Sequence, residues 1–134
     1  MSVEVRYLSR GGNTKRMAEA VAKALDVRAK SVEEPVEGRA DVVFLCASVY
    51  GGSPDKAVLN YVKQNARDIG RLVVLSTSAS GKSTHTRLKA AAEDMGVQVS
   101  DAYFHCPGAF LMLHRGRPNA EDCAKAAAFA KAQL

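Results

Sequence analysis

The chain has 134 residues, 47% of them hydrophobic and 25% charged, which is enough apolar material for one core and leads us to expect a single domain over residues 1–134. No apolar run approaches the roughly 20 residues that a bilayer-spanning helix needs, so no membrane role is expected. The net charge of +5 suits an anionic ligand or an acidic partner, but the basic residues are dispersed without a block of five, which weighs against nucleic acid. The start, Met-Ser-Val-Glu-Val-Arg, lacks the layout of a secretory leader, and a cytoplasmic location is expected. Three widely spaced cysteines, Cys46, Cys106 and Cys123, favour neither a disulfide framework nor a zinc site, and no Cys-x-x-Cys is present.

In chain order, Val3 to Leu8 predicts a strand. Ser9-Arg10-Gly11-Gly12-Asn13-Thr14 follows as a loop, and Thr14 is expected to cap a helix that runs to Leu25. Met17, Ala18, Val21, Ala22 and Leu25 give that helix one apolar face. A polar edge strand is predicted near Val27 to Val32. The next eight residues, 33–40, contain Pro35 and Gly38 and leave room for one or two helical turns at most, so the second crossover helix is predicted to be short or vestigial.

Val42 to Ser48 is a continuous apolar run of the kind buried on both faces of a parallel sheet. After it, Ser53 is expected to cap a helix with Pro54 in its first position and Ala57, Val58, Tyr61 and Val62 on one side. Arg71 to Ser76 repeats the buried-strand pattern, and the loop from Ser76 to Thr84 is nearly all small and hydroxyl residues. A helix to about Met95, stopped by Gly96, leads to a last strand near Val97 to Cys106. Pro107 and Gly108 break that strand, residues 109–117 form a connector, and Pro118 to Asp122 opens an alanine-rich final helix with acids in its first turn.

Strands and helices therefore alternate, with five strands, which predicts an α/β fold with a doubly wound parallel sheet and helices on both faces. Ligands of such sheets bind outside the carboxyl ends of the strands. Three loops fall there: Ser9 to Thr14; Ser48, Val49, Tyr50, Gly51 and Gly52; and Ser76, Thr77, Ser78, Ala79, Ser80 and Gly81. In the first, a helix start presents unpaired N–H groups and the positive end of its dipole, two glycines let the backbone approach an oxyanion, and Ser9, Asn13 and Thr14 can add hydrogen bonds. The plain alternative is a strand-to-helix turn with an asparagine cap. Gly81-Lys82-Ser83 ends like a phosphate loop, but Ser76 stands where that pattern requires glycine, leaving at most a second phosphate or sulfate contact. His105, Cys106 and His114 match no ligand or nucleophile spacing.

Ser9, Gly12, Asn13 and Thr14 give the first loop a resemblance to the flavodoxin family, whose phosphate loop reads Ser/Thr-x-Thr-Gly-Asn-Thr. Gly11 replaces the hydroxyl residue usual at the third position, and Arg10 can supply charge instead. Val49-Tyr50-Gly51-Gly52 is similar to the family's loop beside the flavin ring, and Phe104-x-Cys106-x-Gly108 and Arg117-Pro118-Asn119-x-x-Asp122 resemble its C-terminal stretches. The resemblance implies the strand order 2-1-3-4-5 and non-covalent FMN, with the phosphate on Ser9 to Thr14 and the ring between the second and third loops. Tyr50 would stack on the ring or else pack under its own loop. The third loop has neither the aromatic residue nor the acids usual there, and the chain has no tryptophan.

The implied function is electron transfer, with the redox chemistry carried by the cofactor and no catalytic side chain. An electron carrier is favoured over a small FMN-dependent reductase, since no nicotinamide motif is present. The family is typically acidic and this chain is basic, which implies an acidic redox partner protein. The rival expectation is a flavodoxin fold that has lost flavin and serves as an interaction module or binds another anionic ligand.

Overall fold

A computed structural model of the chain describes residues 2–8, 12–36, 38–48, 54–78, 84–107 and 116–134. Five strands, β1 (Val3–Leu8), β2 (Ala29–Ser31), β3 (Ala40–Ser48), β4 (Ile69–Ser78) and β5 (Val99–Pro107), pair in parallel in the order β2-β1-β3-β4-β5. Helices α1 (Asn13–Ala24), α2 (Lys56–Asn65), α3 (His85–Asp94) and α4 (Ala120–Ala132) connect and cover them. This is the flavodoxin-like order expected from the sequence.

The strand period of two divides the core. Val43, Leu45 and Val74 face Val58, Tyr61 and Val62 of α2 and Leu88 and Ala92 of α3. Val5, Phe44, Cys46, Val73 and Leu75 face Met17, Ala18 and Val21 of α1 and Ala126 and Ala130 of α4. β3 and β4 are buried on both sides, which is why their sequences are unbroken apolar runs.

No helix occurs among the described residues between β2 and β3, in keeping with the vestigial crossover expected there. A buried arginine holds this segment down instead. Arg6 of β1 is fully enclosed, and its guanidinium donates to the carbonyls of Ser31, Glu34 and Pro35 and to the Glu4 carboxylate. Its other face lies 5.6 Å from the Tyr61 ring centroid. Asn65, at the end of α2, accepts from the Val36 N–H at 3.0 Å and donates to Tyr61 O at 2.8 Å.

Two helix starts differ from expectation. Thr14 does not cap α1: the cap is Gly12, at φ 84°, a left-handed conformation that glycine adopts without a Cβ penalty. Thr14 is drawn inside the helix because its hydroxyl is buried against β3 and β4. For α2, the Asp55 carboxylate accepts from the Ala57 N–H at 2.9 Å, which puts the cap at Asp55 and leaves Pro54 before the helix. Ser53 lies outside the described residues. The start of α4 is a reciprocal box, with the Asn119 side chain accepting from the Asp122 N–H and the Asp122 carboxylate from the Asn119 N–H, both at 2.9 Å. Gly96 (φ 86°) ends α3, with its N–H on Glu93 O and the Val97 N–H on Ala92 O.

Candidate functional site

All five strands run the same way, so their carboxyl ends and the starts of the four helices share one edge. Of the residues singled out in the sequence, the structure brings together there Gly12, Asn13 and Thr14 at the start of α1, Ser48 at the end of β3, and Thr77 and Ser78 at the end of β4. Ser9, Arg10, Gly11, Val49, Tyr50, Gly51, Gly52, Ala79, Ser80 and Gly81 lie outside the described residues, as do Lys82, Ser83 and His114.

Three hydroxyls join these elements. Thr14 Oγ1 is 2.6 Å from Ser48 Oγ and 3.1 Å from Thr77 Oγ1. Ser48 and Thr77 are register partners on adjacent strands and point to the α1 face, where Thr14 meets both. A hydroxyl has one proton, so Thr14 donates to one neighbour and accepts from the other. One end of the chain, Ser48 or Thr77, thereby keeps a proton to donate outward. Ser48 is half-buried and Thr77 is almost fully covered, which makes Ser48 the end within reach of a ligand.

The start of α1 has the polarity that suits an anion. Its cap is a glycine without a side chain, and no acid stands in its first turn. A Cβ at Gly12 would meet nothing within 4 Å. Arg16, which the sequence reading did not single out, donates from Nη2 to Asn13 Oδ1 and from Nη1 to Pro118 O, each at 3.0 Å. It thus ties the start of α1 to the approach of α4. The available signal was its place three residues after Asn13, on the same side of the helix.

Ser76 points to the other face of the sheet. It is fully buried, and its hydroxyl is 2.7 Å from Nδ1 of His105 on β5. Burial lowers the His105 pKa from its ordinary 6.5, which favours a neutral ring at neutral pH. Beyond it, Arg117 grips Asp122 through two hydrogen bonds, and that contact holds the carboxyl below the usual range. Burial pushes the Cys106 thiol up to about 12 and that of Cys46 higher still, so neither is a thiolate nucleophile near neutral pH. Among the described residues no three His, Cys, Asp or Glu are grouped to hold a metal ion, and no helix is long and apolar enough to cross a membrane.

The geometry has counterparts among known structures. A flavodoxin 2 from Bacillus cereus is 16% identical, with 98% of this chain and 97% of that one covered at a TM-score of 0.69. A WrbA-like flavodoxin from Agrobacterium tumefaciens is 20% identical over 98% and 96%, at 0.67. A flavoprotein from Lactobacillus acidophilus, solved in complex with FMN, is 16% identical over 78% of this chain and 92% of that one, at 0.65. At these identities the likeness is one of fold. No curated protein sequence matches the chain. The family model described as Flavodoxin domain matches residues 5–103. With most of its length under that model and the β2-β1-β3-β4-β5 sheet in place, the chain belongs to the flavodoxin family.

Proposed function

We propose that the chain binds FMN non-covalently and carries electrons, as a single domain over residues 1–134 in the cytoplasm. The observation that supports this most directly is the start of α1. A left-handed glycine cap, with no acid in the first turn behind it, sets the positive dipole end of α1 at the carboxyl edge, where a phosphate dianion is favoured. Lys15 and Arg16 add positive charge in the same turn.

Ser9, Arg10 and Gly11 complete the phosphate turn in this reading. The connectors Ser48–Gly52 and Ser76–Gly81 flank the ring, with Tyr50 against it. FMN supplies the electron-transfer chemistry when bound. The chain's own residues bind and orient it: the Thr14 hydroxyl, held between Ser48 and Thr77, fixes the phosphate turn against the two strand ends that would line the ring. Ser48 is the end of the hydroxyl chain within reach of the ligand, and it has its own proton to donate when Thr14 donates to it. Nothing in this arrangement requires a side chain to move a proton, which suits a carrier more than a reductase.

A second reading, a flavodoxin fold without flavin, is favoured by one observation. The Ser76 and Thr77 hydroxyls are already paired inside the protein, with His105 and Thr14, and so offer the ring less than their sequence suggests. Flavin titration separates the two readings. Micromolar FMN should be taken up stoichiometrically with quenching of its fluorescence; no uptake would leave the second reading. Gly12→Asp should abolish uptake by setting a carboxylate against the phosphate, while Gly12→Asn, equally large and tolerant of the left-handed backbone, should retain binding within about tenfold. Equal affinity of the Asp variant and the wild type would place the phosphate elsewhere.

A further inference from the structure

Asn13 is the first residue of α1, and its carboxamide can be turned two ways, with either the oxygen or the NH2 group on a given side. Its neighbour settles the choice. A guanidinium carries five N–H donors and no acceptor, so only the amide oxygen can meet it. Arg16 donates from Nη2 to that oxygen at 3.0 Å, which turns the Asn13 NH2 group to the side away from Arg16. The other arm of the same guanidinium, Nη1, donates at 3.0 Å to the carbonyl of Pro118, 102 residues further along the chain.

The Pro118 carbonyl is a fixed anchor. Pro118 is buried, and the turn around it is closed by the reciprocal bonds between Asn119 and Asp122 and by the two bonds from Arg117 to Asp122. α1 and α4 also pack on the same face of the sheet. Arg16 itself is exposed, and a long exposed side chain loses much rotamer freedom when it holds a neighbour in place. With one arm already on Pro118, that freedom is given up on folding and not when a ligand arrives. A lysine could not do this, because its ammonium is a point charge on a flexible stem and has no planar fork.

We infer that Arg16 is a positioning residue for the phosphate turn: braced on the turn before α4, it holds Asn13 with its amide donors presented to a phosphate monoester. The inference rests on the FMN reading and adds the residue that sets the site's preference for the phosphate end of the ligand. A phosphate dianion only accepts hydrogen bonds. An asparagine turned the other way would set its oxygen against the phosphate oxygens, and Arg16 makes the productive orientation the resting one. Its contribution is therefore one of geometry, over and above the positive charge that any cation at this position supplies.

A double-mutant cycle in flavin affinity tests it. Arg16→Lys keeps the charge and the helix propensity, removes the fork, and should weaken FMN uptake about tenfold. Asn13→Ala should do the same, and the double variant should bind within about twofold of Asn13→Ala alone, because Arg16 acts through Asn13. Riboflavin has the same ring and no phosphate, so the ratio of FMN to riboflavin affinity should fall in Arg16→Lys. A brace that merely held the fold together would lower both affinities alike. Wild-type FMN affinity in Arg16→Lys, or losses that add in the double variant, would overturn the inference. A wild-type chain that takes up no FMN would sink the flavin reading, and inorganic phosphate then decides for Arg16. Titrated into the flavin-free chain, it should shift the Asn13 side-chain amide resonances in the wild type and leave them in place in Arg16→Lys. No shift in the wild type would overturn the positioning role as well.

Discussion

Thr14 shows how one residue can change role between sequence and structure. A threonine after Gly-Gly-Asn reads as a cap, yet its hydroxyl is shared by two strands and lies inside the helix. Its two partners are 34 and 63 residues away, a separation at which no local pattern can announce the contact. Tyr61 is the converse case, a residue correctly placed on the buried face of α2 whose polar atom is left over. Its hydroxyl is buried without a hydrogen-bond partner among the described residues, and burial raises its pKa. An unsatisfied buried hydroxyl costs about 1–3 kcal/mol, and the ring packs against Arg6 and the core without it. Tyr61→Phe should therefore raise stability by about 1 kcal/mol. Urea unfolding measures it; a loss of stability would mean that the hydroxyl has a partner in solution.

At the scale of elements, the crossover between β2 and β3 carries the most information. A segment too short for a helix leaves backbone carbonyls to satisfy, and Arg6 donates to three of them while pairing with Glu4. An arginine in the middle of a buried strand was the visible signal, but only the fold shows which carbonyls it reaches. Removing one partner of a buried charged network typically costs about 3–5 kcal/mol. Arg6→Met keeps much of the apolar stem and removes every donor, so it should destabilise by about 3 kcal/mol and expose the Val36 N–H to hydrogen exchange. A change under about 1 kcal/mol would show that water satisfies those carbonyls equally well.

For the whole molecule, ionisable groups set the pH range of stability. His105 has a lowered pKa, from burial, so the unfolded chain binds its proton more readily. Stability should therefore begin to fall as pH drops through His105's ordinary 6.5. Asp122 is lowered by Arg117, and Asp41 by the Ser2 N–H. Their contribution is complete above the ordinary 3.8 and is lost as pH falls through the lowered folded values. Lys89 is raised by Glu93, so its contribution is present below the ordinary 10.5 and fades as pH rises through the folded value. Thermal midpoints should form a plateau between about pH 7 and 9, with one decline beginning near 6.5, a second below 4, and a third above the ordinary thiol value of 9.0, where Cys46, Cys106 and Cys123 ionise in the unfolded chain while burial keeps them protonated in the folded one. If the midpoint rose steadily on acidification from 7 to 5, the assignment of His105 as a ring that resists protonation would be wrong.

Most of the architecture was written in the chain itself. Unbroken apolar runs at Val42 to Ser48 and around Leu72 to Leu75 can be buried only between two helical layers. Alternation of strands and helices with right-handed crossovers leaves few sheet orders, and Pro35 with Gly38 denies the second crossover its helix. β1 and α1 were legible because a β-prone run and an amphipathic stretch follow one another closely, while residues 9–11 between them lie outside the described residues. Tertiary structure alone decided what the side chains at the carboxyl edge do. It paired Thr14 with Ser48 and Thr77, turned Ser76 toward His105, set Arg16 between α1 and α4, and enclosed Arg6. The reason is the same throughout: periodicity reports which face of its own element a residue occupies, and hydrogen bonds and fields are made between elements that only the folded sheet brings within reach.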